Sequence, residues 1–400
     1  MDDLGLGVYV HFPWCLRKCG YCDFLSAATE RSAIPHARYA DALIAELTQR
    51  LPAIRLAPLR SIYVGGGTPS LWDPRELGRV LEAITTQCAP AGDPEITVEC
   101  NPSSFDLTTG QALLAAGANR VSLGVQSLDD ARLAFLERLH DARTGLAAVG
   151  AALAAGIPRV SADLIYGIAG QSPAAAADEA RRLADLGPTH LSAYTLTIEP
   201  ATPFAARARR DQLPLLPEDA VAESFLAVDA ALTARGFDHY EISSFARNDH
   251  VSRHNLGYWL GRDYLGLGCG AWGTVTLVDG GDRLRYRNTP RPAEYLDAAL
   301  ARDACRSSLW RATSGGLVSE TETIDPETAL SERLLLGLRL ARGLDVQRAA
   351  SELGVDPWPP ARRRAARRLV AAGRLAEEGP RLRIPRDAWL LADGVIRELL

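Results

Sequence analysis

Short apolar, β-branched runs recur along the first half of the chain, separated by longer stretches in which Ala and Leu repeat at helical spacing. The runs are "GVYVHF" (7–12), "SIYVGG" (61–66), "EITVEC" (95–100), "RVSLGVQ" (120–126), "RVSADLIYG" (159–167) and "HLSAYTLT" (190–197). Helical patterns fall near 36–50, 73–87, 108–116, 129–155 and 174–186. Strands that alternate with helices read as βαβ units, whose crossovers lay the strands parallel. Six such units predict an α/β protein built on a parallel barrel or most of one.

The alternation weakens after about residue 215. A helix is predicted over 218–235, then "HYEISSFAR" and "SRHNLGYWLGRDYLGLGCGAWG", while 305–325 reads as a loop or linker. From Pro326 the pattern is helical again, and "ARRRAARRLVAAGRLAEEGPRLRIP" reads as helix, turn and short strands, the order of a winged helix. The expected division is a barrel core over 1–240, a barrel-associated extension over 241–310 and a C-terminal domain over 311–400. A chain of 400 residues exceeds what one core usually supports.

Nearly every predicted strand ends in polar or glycine chemistry: Cys15, the "GGGTP" at 65–69, Glu99 with Asn101, Gln126 with Ser127, Asp163 and Tyr194. In parallel barrels the reacting groups gather where the strands end and the βα loops begin. These residues are therefore expected to share one mouth.

Composition sets limits. With 47% hydrophobic and 23% charged residues the chain has the make-up of a soluble globular protein. A net charge of −5 offers no general attraction to nucleic acid or an acidic membrane. No apolar run approaches the roughly 18 residues of a spanning helix, and "MDDLGLG" lacks the basic and apolar regions of a signal peptide. A cytoplasmic location is expected. Lys18 is the only lysine among 44 basic residues, a bias that runs the whole length of the chain. "GCGAWG" (268–273) fits G-x-G-x-x-G, but it runs into strand-like "TVTLV" and offers no helix N-terminus to a pyrophosphate.

In a reducing compartment clustered cysteines read as metal ligands. Cys88, Cys100, Cys269 and Cys305 are scattered and read as small apolar residues. Cys15, Cys19 and Cys22 fall together in "CLRKCGYC". Structural zinc takes four ligands, usually as two separated pairs; the second pair is missing here, although His11 could complete a Cys3His set. Iron–sulfur clusters are held by closely spaced thiolates, commonly four. Three on a four-iron cluster would leave one iron open.

The spacing C-x3-C-x2-C after the first barrel strand resembles the radical S-adenosylmethionine superfamily. By that resemblance the open iron of a [4Fe-4S] cluster would chelate the amino and carboxylate groups of S-adenosylmethionine. An electron from the cluster would then cleave the carbon–sulfur bond and give a 5′-deoxyadenosyl radical. "YVHFPWCLRKCGYCDF", "GGGTPSL", "VECNPSSF", "GVQSLDD", "DLIYGIAGQS", "LTIEPATPF", "YEISSFAR" and "HNLGYW" extend the resemblance over most of the chain. In that order they are similar to the oxygen-independent coproporphyrinogen oxidase group, and most closely to its heme chaperone branch. Asp23 stands where the decarboxylating dehydrogenase of the group has a fourth cysteine, and His254, Asn255, Tyr258 and Trp259 match the chaperone motif H-N-x-x-Y-W.

The resemblance implies a partial parallel (β/α)6, TIM-like radical SAM barrel with a small C-terminal helical, winged-helix-like domain of the HemN type. It implies three bound groups: a [4Fe-4S] cluster on Cys15, Cys19 and Cys22; S-adenosylmethionine among Tyr9, Tyr21, Gly66, Gly67, Thr68, Glu99, Gln126, Arg138 and Asp163; and heme at His254, Asn255, Tyr258 and Trp259. Histidine is a common axial ligand of heme iron, and Tyr and Trp present flat apolar faces with a polar tip. The implied activity is delivery of heme to an acceptor such as a respiratory hemoprotein. A cellular electron donor would be required, with no nucleic-acid partner and membrane association only transient, through the acceptor. The alternative is a radical enzyme acting on a porphyrinogen, a coproporphyrinogen III dehydrogenase, or a methyltransferase of the same architecture. Trp272 replaces a histidine that relatives tend to carry in "GAHS" or "GAHG", which puts that residue's role in doubt here. The "ARRRAARR" run is expected to be a solvated helix face.

Overall fold

The computed structural model describes residues 5–301 and 309–400; Cys305 and the first four residues lie outside the described residues. The strands are β1 (Leu6–Phe12), β2 (Trp14–Cys15), β3 (Ala27–Ala28), β4 (Leu59–Gly66), β5 (Pro90–Cys100), β6 (Arg120–Gln126), β7 (Arg159–Tyr166), β8 (His190–Thr195), β9 (Asp238–Glu241), β10 (Ser244–Ala246), β11 (Tyr264–Leu267), β12 (Trp272–Thr276), β13 (Arg283–Asn288), β14 (Val318–Ile324), β15 (Ala376–Glu378) and β16 (Arg381–Arg383). The α-helices are α1 (His36–Arg50), α2 (Pro74–Gln87), α3 (Leu107–Ala115), α4 (Asp130–Phe135), α5 (Ala142–Ala154), α6 (Pro173–Asp185), α7 (Pro203–Ala208), α8 (Glu218–Thr233), α9 (Arg253–Trp259), α10 (Pro292–Leu300), α11 (Pro326–Gly337), α12 (Val346–Leu353), α13 (Pro360–Ala371) and α14 (Ala392–Leu399).

Twelve strands form one sheet in the order β14-β13-β12-β11-β1-β4-β5-β6-β7-β8-β10-β9. Its centre, β1 to β8, is the predicted run of six parallel strands. The run is not closed on itself, because β11 adds in parallel outside β1 and β10 adds antiparallel outside β8. Two departures from the sequence reading have local causes. The helix expected over 129–155 is two helices, each with its own N-cap: Asp129 accepts from the Arg132 N–H at 2.9 Å and Asp141 from the Thr144 N–H at 2.7 Å. Between them Glu137 takes φ +58°, which ends the first helix and leaves Arg138 on a loop. The expected linker over 305–325 contains β14, an edge strand paired with β13. Only Val318 and Ile324 of its seven residues are buried, so the segment has no apolar alternation to read.

A two-residue period sorts the parallel strands, since successive side chains leave opposite faces of a strand. Val8, Val10, Ile62, Val64, Val98, Val121, Leu123, Val160 and Leu191 join the hydrophobic core with helix residues such as Leu43, Leu77 and Leu183. The alternate positions are Tyr9, Tyr63, Thr97 and Arg120 in one register level, and Glu99, Ser122, Ser161 and His190 in the next. Parallel barrels usually fill this interior with branched apolar side chains. Here it is lined by small and polar ones, which leaves a cavity.

The C-terminal residues pack a separate core around Leu330, Leu334, Leu369, Ile384, Trp389 and Ile396. A left-handed Gly354 at φ +70° ends α12, α13 follows, and β15–β16 form a hairpin, with Leu344 bridging to Leu382. This is the winged-helix order. No described helix is long and apolar enough to cross a membrane.

Candidate cofactor site

The loop that carries the three cysteines follows β1 and includes β2, which pairs only with β3 outside the twelve-stranded sheet, and its backbone is held on both sides. The Ala27 N–H donates to the Pro13 carbonyl at 2.7 Å, and the Phe204 N–H at the start of α7 donates to the Gly20 carbonyl at 3.0 Å. Arg17 reaches across to the α4–α5 loop, donating to the carbonyls of Glu137 and, at 3.1 Å, Arg138. So anchored, Cys15, Cys19 and Cys22 line one end of a cavity of about 360 Å³. The Thr68 hydroxyl points at the Cys15 sulfur (3.4 Å) and the Arg138 Nη1 at the Cys19 sulfur (3.8 Å). Burial pushes the Cys22 thiol up to about 11.

The glycine loop after β4 lies against the cysteine loop: the Gly67 and Thr68 N–H groups donate to the carbonyls of Phe12 (2.7 Å) and Trp14 (2.8 Å). A Cβ on Gly67 would stand 2.5 Å from the Trp14 carbonyl oxygen. Gly66 has φ +110°, where a Cβ would also strike the His11 ring. Both glycines line the cavity, but the close approach that demands them is to the protein's own backbone and His11. The Gly66 N–H donates to Glu99 at 3.0 Å, and the Tyr63 hydroxyl donates to the same carboxylate at 2.7 Å. Burial raises Glu99 to about 7, against the pull of these two donors. Asp163, one wall further, is raised to about 6 by burial against its bonds from Ser192 and Ser122, the latter at 3.1 Å. Arg138 donates to the Gly124 carbonyl at 2.8 Å and also engages Tyr21. Gln126 adopts φ +69° at the irregular end of β6 and lines the same wall.

Of the residues singled out by sequence, Cys15, Cys19, Tyr21, Cys22, Gly66, Gly67, Thr68, Glu99, Gln126, Arg138, Asp163 and Asn255 line this cavity. Tyr9 does not. Its hydroxyl meets His11 Nδ1 at 2.9 Å and its ring lies against Tyr63 at 6.3 Å between centroids. Tyr63, its neighbour in register, faces the cavity instead. His11 cannot complete a zinc set as folded, because its Nε2 bonds the Leu25 carbonyl at 2.8 Å. Among the described residues no three His, Cys, Asp or Glu side chains close around one ion-sized point.

His254, expected at the heme, is placed beneath the strands. The ring is 2% exposed and both nitrogens are taken: Nδ1 by the Ser61 hydroxyl at 2.9 Å, Nε2 by the Tyr258 hydroxyl at 2.8 Å. It stacks on Tyr63 at 5.1 Å, and burial lowers it to about 3. As folded, His254 offers no nitrogen to an iron. The motif plugs the floor of the barrel: the His254 N–H donates to Glu95, Asn255 lines the cavity, and the half-buried Trp259 has an indole N–H with no partner among the described residues. Trp272 lies outside the cavity, 40% exposed, with the Arg287 guanidinium 5.4 Å from its ring. Sequence reasoning missed Tyr63, Ser122, Ser192 and the polar floor at Arg120, Ser161 and His190, all cavity-lining. Their signal was the two-residue period of polar and aromatic residues within "SIYVGG", "RVSLGVQ", "RVSADLIYG" and "HLSAYTLT".

Family profiles, related sequences and a solved structure match the chain. The Radical SAM superfamily profile matches residues 9–192, and the HemN C-terminal domain profile matches residues 324–391. The chain is 35% identical to the heme chaperone HemW of Mycobacterium tuberculosis over 98% of this chain and 94% of that protein. It is 37% identical to the heme chaperone HemW of Escherichia coli over 73% of this chain and 75% of that one. The fold matches the solved structure of the radical SAM coproporphyrinogen III oxidase HemN from Escherichia coli with TM-score 0.78, at 21% identity, covering 99% of this chain and 90% of that one.

Proposed function

The chain belongs to the heme chaperone HemW family within the radical SAM superfamily, and on that premise we propose that it is a heme chaperone holding a [4Fe-4S] cluster, S-adenosylmethionine and heme, and passing heme to an acceptor protein. The observation that carries the cluster and cofactor part is the convergence of the three thiols of one loop with Thr68, Glu99, Arg138 and Asp163 on one cavity; Cys100 at the end of β5 also lines it, but its thiol is buried and turned to the Val98 carbonyl at 3.5 Å. Such a cluster supplies an electron and one iron without a protein ligand. Cys15, Cys19 and Cys22 are proposed to hold it.

The walls suit a zwitterion. Arg138 is a fixed cation beside Cys19, while Glu99 and Asp163 are carboxyls poised near neutrality that accept hydrogen bonds from ammonium or ribose hydroxyls once ionised. Gly67 and Thr68 hold the glycine loop against the cysteine loop, with the Thr68 hydroxyl on the Cys15 sulfur. The heme part is supported by the name of the relatives. In this chain it is proposed without an iron ligand from His254, whose place in the floor supports the cavity from below.

Electron paramagnetic resonance of the anaerobically reconstituted, reduced protein tests the reading. The expected result is iron and sulfide near four each per chain and a signal that changes on adding S-adenosylmethionine, because the open iron gains ligands. A signal indifferent to S-adenosylmethionine, or no inorganic sulfide, overturns it. Conversion of coproporphyrinogen to protoporphyrinogen under the same conditions would select the enzyme instead.

A further inference from the structure

The charge of the molecule is unevenly divided. Residues 326–400 carry 14 arginines against 10 acidic residues, a net of +4, whereas the first 325 residues carry −9. Within that basic part the 20 residues from Pro357 to Ala376 contain six arginines and no acid. They are α13 of the winged helix and its flanking turns.

The helix separates these arginines by face. Ala365, Ala366 and Leu369 are buried, and with them Arg362, which donates to the carbonyls of Leu399 (2.9 Å) and Pro357 (3.2 Å). Arg363, Arg364, Arg367 and Arg368 are exposed on the other side, where positions three and four apart are neighbours. Only Arg368 has an acidic partner, Glu398 at 3.0 Å. Arg363 touches the Trp358 carbonyl at 3.4 Å, and Arg364, Arg367 and the exposed Arg374 of the following turn bond no described residue through their side chains. Elsewhere arginines are commonly paired, as in Arg38–Asp297, Arg235–Asp185 and Arg339–Asp393. A rigid helix about 18 Å long thus presents fixed cations that the fold itself leaves unneutralised.

We propose that this face of α13, with Arg374, is a docking surface for an acidic segment of a partner protein. Guanidinium groups match carboxylates in a two-bond fork, and several on one helix read a run of Asp or Glu. The other polyanions fit less well. Val370 is the one large apolar side chain exposed on the helix, so the face has no Trp, Phe or Leu to enter a lipid surface. A duplex brings one charge about every 1.7 Å of its axis and would run past the helix along a body that carries −9. A short acidic segment meets the cations alone. The surface is defined without the cluster or heme, so it stands or falls independently of the proposed function; should both hold, the segment belongs to the heme acceptor.

The test uses the full, anaerobically reconstituted chain and a short fluorescein-labelled Glu-rich peptide, followed by fluorescence polarisation. Arg363→Ala/Arg364→Ala/Arg367→Ala is compared with Arg31→Ala/Arg75→Ala/Arg143→Ala, which removes the same charge from exposed positions elsewhere. The expected result is binding that weakens with salt and falls about tenfold in the α13 variant, with less than a twofold change in the control. All three α13 positions are exposed, and equal melting temperatures confirm an intact fold. Equal losses in the two variants overturn the proposal. So does tighter binding of a short DNA duplex, or of phosphatidylglycerol vesicles, that depends on the same three arginines.

Discussion

Replacing His254 with Gln separates a histidine that holds the floor from one that holds iron. In the folded chain burial lowers the imidazole to about 3, against about 6.5 in the unfolded chain. The unfolded state therefore binds a proton that the folded state refuses, and stability falls as pH drops from 6.5 toward 3. Between pH 7 and pH 5 this one residue costs about 2 kcal/mol, less than twice the limiting slope of about 1.4 kcal/mol per pH unit because the unfolded imidazole is only partly protonated above pH 6. His11 and His140, both lowered to about 4 by burial, add their own terms, but they do so equally in both proteins and cancel in the comparison. At pH 7 the variant loses the stack on Tyr63 and at least one of the bonds to Ser61 and Tyr258, a loss of about 1–3 kcal/mol. Urea titrations at pH 7 and pH 5, followed by tryptophan fluorescence, give both numbers, and heme titration by Soret absorbance gives the third. The wild type is expected to lose about 2 kcal/mol more than the variant on acidification, with equal Soret spectra. An identical pH response in the two proteins refutes the argument, as does a variant of wild-type stability that has lost its heme spectrum.

Two further outcomes follow from the cavity. Affinity for S-adenosylmethionine should rise with pH through about 7 as Glu99 ionises, whereas Glu99→Gln should bind about tenfold more weakly, the worth of one charge-assisted bond, with no such rise; equilibrium dialysis between pH 6 and 8 reads both. Gly67→Ala should push the glycine loop off the Trp14 carbonyl and lower iron content after reconstitution well below wild type, measured as iron per chain, while far-ultraviolet circular dichroism stays unchanged.

What the sequence made legible was whatever its periods encode. The six strands and their helices follow from runs of Val, Ile and Leu between helical stretches, and the cavity mouth follows from the polar residues that end those runs. The break at Leu136–Asp141 was missed because Asp141 caps a helix inside a sequence that keeps helical composition on both sides. β14 was missed because an edge strand whose five middle residues are all exposed carries no apolar signal. Family resemblance supplied the identity of His254 but not its direction. The second residue of the short helix α9 sits beneath Ser61 and Tyr63, and only the three-dimensional register shows that its ring is enclosed. Tyr9 and Tyr63 exchange places for a like reason: they are side by side in register, and which of them reaches Glu99 depends on the tilt of the strands.

The strict inside-outside sorting of the parallel strands ties folding to chemistry. Displacing β7 by one residue would swing Asp163 and Ser161 toward the helices and drop Ala162 and Leu164 into the ligand chamber. The core would then hold a stranded carboxyl while the chamber lost its acid, so both errors would arise in a single misalignment. A population with mispaired strands cannot remain well packed while merely inactive, and selection for a sound core protects the chamber at no extra expense.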